Sequence, residues 1–63
     1  MNDNDTIYII FKNGNIVVWR GNEYTDYDYD RKCFIITNNR RWMGVYPIEG
    51  IESIEIGRSH YVV

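Results

Sequence analysis

The residues best able to do chemistry lie in one acidic, tyrosine-rich segment in the middle of the chain, residues 22–30. In an extended strand successive side chains point to opposite faces, so the last five residues of this segment separate by type. If residues 26–30 are extended, the aspartates share one face and the tyrosines the other, whereas the sequence leaves open whether residues 22–31 form a strand or a loop; the two sets are Asp26, Asp28 and Asp30 against Tyr27 and Tyr29. Carboxylates on one face of a strand lie about 6.7 Å apart, and their repulsion favours an exposed position for that face.

This segment predicts a contact surface for a protein that carries a basic surface. Carboxylates steer the approach of a basic partner, and tyrosine is enriched at the centres of protein interfaces. Duplex DNA carries one charge per about 1.7 Å of axis, so three aspartates imitate its backbone only locally. A solvated loop whose tyrosines pack onto the fold is the alternative. The predicted partner-binding residues are Glu23, Tyr24, Asp26, Tyr27, Asp28, Tyr29 and Asp30.

A second set of residues combines indole rings with arginines, and it predicts nucleic-acid binding as an alternative function. Aromatic rings stack on bases, and guanidinium groups meet phosphates. In a regular strand Arg41 and Trp42 point to opposite faces, so they share one groove only if Trp42 lies at a bulge. Indoles that fill the core, with solvated arginines, would explain the same residues. The set is Trp19, Arg20, Arg40, Arg41, Trp42 and Arg58.

Catalytic and metal-binding patterns are missing from the sequence. Cys33 is the only cysteine and His60 the only histidine, and the glycines are singly spaced, which excludes a glycine-rich phosphate loop. The Asp-x-Asp-x-Asp run opens like a calcium loop, but Arg31 stands where that loop requires glycine and Thr37 where it requires glutamate. We therefore expect no enzyme activity, no cofactor and no metal. We expect Cys33 to be a buried apolar residue in a reducing, cytoplasmic compartment.

Length and charge limit the possible functions further. The chain has 63 residues and a net charge of −2, which fits one small domain and disfavours a dedicated duplex-DNA binder. Residues 1–30 carry two basic and six acidic side chains, and residues 31–63 carry five basic and three acidic ones. The sequence contains no run of 18 apolar residues, so no membrane span is expected. Residues 1–5 are acidic, unlike a secretory signal, and are expected to be flexible.

Hydrophobic patterning predicts strands throughout. Asn13-Gly14 between two β-branched runs predicts a two-residue type I′ hairpin turn. That turn would place an apolar set on the outer face of the hairpin, which predicts self-association into a structural homo-oligomer as a third function. The set is Tyr8, Ile10, Val17 and Trp19.

The remaining strands are expected at residues 32–37, 41–46 and 53–56, with an edge strand at 60–63. A tight turn is expected at Asn38-Asn39. Pro47 is expected to end the strand at residues 41–46, and a short 3₁₀ turn is expected at residues 48–51. We therefore predict an all-β, small, five- to six-stranded antiparallel barrel in a single domain, residues 1–63.

The order of these elements resembles SH3-like small β-barrels. The local match is the strand, proline, short turn and strand at residues 43–56, and the resemblance implies a barrel whose last two strands are joined by a 3₁₀ turn. The composition is similar to that of small phage or mobile-element proteins. We expect a non-catalytic binding module, more sharply a phage-type inhibitor that occludes a nucleic-acid-handling host enzyme.

Overall fold

Seven antiparallel strands and one 3₁₀ turn make up the computed structural model, which describes residues 4–63. The strands are β1 (Ile7–Phe11), β2 (Ile16–Trp19), β3 (Asp26–Tyr29), β4 (Cys33–Asn38), β5 (Arg41–Pro47), β6 (Ile51–Ile56) and β7 (Ser59–Val62). The predicted 3₁₀ turn is confirmed at Ile48–Gly50, where it joins β5 to β6. The predicted all-β, antiparallel class is confirmed as well.

The predicted five- to six-stranded barrel does not close, because seven strands form two separate sheets, and the resemblance to SH3-like barrels is not confirmed. One sheet has the order β2-β1-β6-β7 and the other the order β3-β4-β5. Within residues 4–63 no backbone ladder joins the two sheets, and the molecule is a small sandwich. The two sheets are held together by side chains that pack between them, described below, and not by the backbone ladders that would close a barrel.

The first hairpin differs from its prediction by one residue of register. The Phe11 N–H donates to the Asn15 carbonyl at 2.9 Å, and the Gly14 N–H donates to the Phe11 carbonyl at 2.9 Å. The loop therefore has three residues, with Gly14 at a φ of 91°, and not the two of a type I′ turn. Ile9 pairs with Val17, and a slip of one residue exchanges the two faces of a strand. Val17 and Trp19 consequently face the core.

The turn between β4 and β5 is also displaced by one residue. Asn38 pairs with Arg41, so the two turn residues are Asn39 and Arg40 instead of Asn38 and Asn39. Both have positive φ values, 50° and 69°. Type I′ turns require this conformation, which asparagine tolerates and arginine rarely adopts.

Aliphatic and aromatic side chains from both sheets form one core. Alternate residues of β1 and β4 are buried, as expected for strands with one face on a core. Burying a side chain of this size contributes about 1.5–3 kcal/mol. The buried residues are Ile7, Ile9, Tyr24, Phe34, Ile36, Ile51, Ile54 and Ile56.

A tryptophan closes the side of the sandwich where the Trp19 ring of β2 reaches β5. The Trp19 Nε1–H donates to Tyr46 Oη at 3.0 Å. A Cβ added at Gly44 would lie 2.8 Å from the Tyr46 ring and 3.0 Å from the Trp19 ring. Glycine at this position therefore provides the space for the indole. We name Trp19, Gly44 and Tyr46 the tryptophan seam.

Among residues 4–63 the structure contains no helix with the length and apolar character needed to cross a membrane.

Candidate functional site

Strand β3 separates its side chains by type, as the sequence predicts. Asp26 and Asp28 are exposed on the outer face of the three-stranded sheet. Tyr27 and Tyr29 turn inward, with ring centroids 5.6 and 6.3 Å from the ring centroid of the buried Phe34. The tyrosine rings remain 39% and 49% exposed, so they are only partly covered by the core.

Tyr24 belongs to the core and not to the predicted contact surface. Its side chain is only 4% exposed, and its hydroxyl donates to the Asp5 carbonyl. The Asn4 side-chain amide donates to the Tyr24 carbonyl at 2.9 Å. Burial, reinforced by the neighbouring Tyr27 and Asp5, raises the pKa of Tyr24 above its usual value. Asn4 and Asp5 of the segment predicted to be flexible thus contact Tyr24, and residues 1–3 of that segment lie outside the described residues.

Asp30 and Glu23, two acidic residues of the predicted surface, accept hydrogen bonds from backbone groups of the chain itself. Asp30 Oδ1 accepts the backbone N–H groups of Lys32 at 2.7 Å and Cys33 at 2.9 Å, which closes the β3–β4 turn. These two bonds, the one from Cys33 above all, lower the pKa of Asp30. Glu23 Oε1 accepts the Arg20 N–H at 2.7 Å.

Asp26 Oδ1 accepts the N–H of its neighbour Tyr27 at 2.8 Å, and within residues 4–63 the Asp28 carboxylate accepts no hydrogen bond. Both are exposed on the outer face of β3, which makes them the carboxylates best placed for a partner.

The register aligns these two aspartates with an exposed apolar patch. Asp26 pairs with Thr37 and Thr37 with Trp42, so the three lie in one row across the sheet. In the next row Asp28 lies beside Ile35, and Ile35 lies beside Val45.

A bulge opposite Thr37 gives β5 an extra residue, Met43, at this point. Trp42 is 69% exposed, and Met43 and Val45 are also exposed. We name Asp26, Asp28, Ile35, Trp42, Met43 and Val45 the outer patch.

The structure does not bring the predicted nucleic-acid set onto one surface. Trp19 faces the core from the four-stranded sheet, whereas Trp42 is exposed on the three-stranded sheet. The bulge that would turn Trp42 into a groove exists, but Trp42 shares its row with Asp26. The arginines are exposed in or beside turns at different places along the chain; they are Arg20, Arg40, Arg41 and Arg58.

The apolar face predicted for self-association changes its members with the corrected register. Val17 and Trp19 pack against the core, which removes them from the outer face. The outer face of the four-stranded sheet instead carries two cross-strand pairs, Tyr8 with Val18 and Ile10 with Ile16. Val62 lies at the other end of the Ile10 row, through Ser53.

The two remaining candidates for a reactive site, Cys33 and His60, lie on different sheets. Cys33 is half-buried, not fully buried as predicted, and lies on the three-stranded sheet. His60 lies on the other sheet, where its Nδ1 is 3.6 Å from the Glu55 carboxylate. Residues 4–63 contain no group of three histidine, cysteine, aspartate or glutamate side chains arranged to hold a metal ion.

An open cleft lies where the edge strands β3 and β7 face each other. It has a volume of about 510 Å³, within the range of ligand pockets. Buried residues line its inner part, and half-exposed tyrosines stand around it. The lining includes Phe34, Ile54 and Ile56 from the core, Tyr27 and Tyr29 from β3, and Tyr61 from β7. We name it the β3–β7 cleft.

The sequence prediction missed the contribution of β7 to this cleft. Residues 60–63 were expected as a final edge strand, and that expectation is met by β7. The local pattern could not provide the position of this edge relative to β3, because 29 residues and three strands lie between the two segments.

Comparison of the chain with protein-family models, with curated proteins and with solved structures finds no match, so the geometry alone supports the function proposed next.

Proposed function

We propose that this chain is a non-catalytic protein-binding module that uses the outer patch to bind a partner with a basic surface. The observation that carries the proposal is the row of Asp26, Thr37 and Trp42, which joins a carboxylate to the most exposed aromatic ring of the sheet. Tryptophan is enriched among residues that dominate binding energy. Aspartates beside it would steer a basic partner and would reject an acidic one.

Three observations support protein binding over nucleic-acid binding. Asp26 lies in the same row as Trp42, across Thr37, so the phosphates of a base stacked on the indole would meet negative charge. Trp19 is engaged in the tryptophan seam. The chain also has a net charge of −2. A basic cleft of a nucleic-acid-handling enzyme is the partner chemistry that this surface fits most closely, and the chain would act by occlusion.

The experiment compares partner binding by the full chain and three variants. Partners captured by the wild-type protein should be lost by Asp26→Lys/Asp28→Lys and by Trp42→Ala. Glu49→Lys/Glu52→Lys, which makes the same change of charge at exposed positions outside the patch, should retain them. Retention by the aspartate variant, with loss by the glutamate variant, would contradict the proposal.

A titration with single-stranded and double-stranded oligonucleotides tests the alternative. We expect no shift of the Trp42 indole N–H resonance at low salt. A shift that fades as salt is added would establish nucleic-acid binding and would reduce the aspartates to solvated side chains.

Self-association is the second candidate, favoured by the exposed pairs on the four-stranded sheet. Sedimentation should show a concentration-dependent dimer that Ile16→Lys abolishes. A monomer at high concentration would remove this candidate.

A further inference from the structure

Two strand edges face the same cleft without a ladder between them. β3 is an edge of the three-stranded sheet and β7 an edge of the four-stranded sheet. Residues of both strands line the β3–β7 cleft, including His60 and Val62 from β7. Edge strands expose backbone donors and acceptors that can pair with another extended segment.

The backbone of β3 directs its tyrosine peptide groups towards the cleft side. The Asp30 N–H donates to the Cys33 carbonyl at 3.1 Å, so the peptide groups of Asp30 point towards β4. Hydrogen-bonded and non-hydrogen-bonded pairs alternate along an antiparallel ladder. The backbone N–H and C=O groups of Asp28 therefore also point towards β4, and those of Tyr27 and Tyr29 point away from it. The Tyr27 N–H agrees with this, because it donates to Asp26 Oδ1 at 2.8 Å and not across to β4.

The same reasoning orients the backbone of β7. The Val63 N–H donates to the Glu52 carbonyl at 3.1 Å, which fixes the phase of the β6–β7 ladder. By alternation the peptide groups of His60 and Val62 turn away from β6 and towards the cleft. Both walls of the cleft therefore turn backbone groups towards it, and among these the Tyr27 N–H donates to Asp26 Oδ1, a bond that an added strand would replace.

The side chains define the chemistry of a segment that would fit between these walls. Side chains directly across two strands share a face, so an added strand would alternate in phase with β3. Its inward side chains would meet the apolar lining formed by Phe34, Ile54 and Ile56. Its outward side chains would lie beside Asp26 and Asp28, which favours lysine or arginine there.

We propose that the β3–β7 cleft binds an extended segment of a partner protein, with alternating apolar and basic residues, as a strand added to β3. The proposal rests on the proposed function, because the partner's basic residues would use Asp26 and Asp28. The four residues of β3 span about 13 Å, which suits a segment of four or five residues. A second copy of β3 is a poor occupant, because its aspartates would oppose these aspartates.

The test measures amide hydrogen exchange in the full, isotope-labelled chain with a defined peptide. The probe is an acetylated and amidated octapeptide of alternating valine and lysine. We expect exchange of the Tyr27 and Tyr29 amides to slow at least tenfold, because both would become donors to the peptide. The same peptide with glutamate in place of lysine should give no slowing.

Two N-methylated versions of the peptide test the backbone pairing itself. One carries methyl groups on the four valine nitrogens and the other on the four lysine nitrogens. In a strand added to β3 only one of these sets points towards β3, so one version should lose the effect and the other keep it. Equal binding by both versions would overturn strand addition.

The remaining outcomes separate this proposal from the proposed function. A shift of the Trp42 indole without slowing at Tyr27 and Tyr29 overturns strand addition but leaves the outer patch as the binding surface. Slowing that persists in Asp26→Lys/Asp28→Lys overturns the basic occupant. Slowing at His60 and Val62 alone overturns the assignment to β3, and slowing that rises with protein concentration in the absence of peptide identifies a second copy as the occupant.

Discussion

The two sides of the sandwich differ in how the space between sheet edges is filled. At the tryptophan seam, Trp19 crosses from β2 to β5 and donates to Tyr46, over a glycine that leaves room for the ring. At the β3–β7 cleft, Tyr27 and Tyr29 contact Phe34 and remain about half exposed. One side is closed by a polar and aromatic contact, and the other remains open.

In this very small domain, one side of the sandwich therefore serves stability and the other side is available for binding. A 63-residue protein has only about 3–9 kcal/mol of folding free energy, so few positions can be left without packing. The tryptophan seam and the aliphatic core supply the packing on one side. The tyrosines of the cleft can therefore keep exposed surface for a partner.

The largest effect should follow from breaking the tryptophan seam. Trp19→Ala removes a half-buried indole and the hydrogen bond to Tyr46, and we expect a loss of about 2–4 kcal/mol in the free energy of unfolding. Urea denaturation followed by circular dichroism measures it. Tyr46→Phe keeps the ring and should lose only about 1 kcal/mol. Equal losses in the two variants would show that the seam depends on its hydrogen bond and not on packing.

A smaller effect should follow next to Tyr27, where Tyr24 donates to the Asp5 carbonyl. Tyr24→Phe should lose about 1 kcal/mol at neutral pH. The raised pKa of Tyr24 gives the pH dependence: above the usual value of about 10, the unfolded chain releases the tyrosine proton while the folded chain retains it.

The wild-type protein should therefore lose stability as the pH rises above 10, and more steeply than Tyr24→Phe. Thermal unfolding from pH 8 to 11 compares the two slopes. Parallel slopes would contradict the raised pKa.

The smallest effect on stability should come from the open side itself. Tyr29→Ala removes a half-exposed ring, and we expect a loss of no more than about 1 kcal/mol. The same substitution should abolish the slowing of amide exchange by the valine–lysine peptide. A loss of stability as large as that of Trp19→Ala would show that the two sides are equivalent in packing and would remove the distinction drawn between them.

Local features of the fold were predictable because neighbouring residues determine them. Alternation of aspartate and tyrosine predicted both faces of β3, and Pro47 and Gly50 marked the 3₁₀ turn. Asn13-Gly14 located the first turn but not its length, because the same dipeptide fits a three-residue loop with Gly14 at positive φ. The one additional loop residue exchanged the inner and outer faces of β2 relative to the prediction.

Features that depend on distant residues were not predictable. Tyr24 is the first tyrosine of an exposed segment, and only the contact with Asp5, 19 positions away, explains its burial. Barrel closure was expected from the order of elements, but it requires ladders between edge strands that no local pattern specifies. The outer patch escaped prediction for the same reason, because the register of β4 and β5 places Trp42 in one row with Asp26, across Thr37.

The strand order also has a consequence for the sequence of folding events. Within residues 4–63 only the β1–β6 ladder joins distant segments, with partners 40 to 49 positions apart, whereas the three-stranded sheet pairs strands that follow one another. Closing so long a loop costs roughly 2 kcal/mol more entropy than closing a three-residue hairpin loop, and local pairings form fastest. We therefore expect substitutions in β4 to slow folding and substitutions in β6 mainly to speed unfolding. The sheet that carries Asp26, Asp28 and Trp42 would then be organised before the core is sealed.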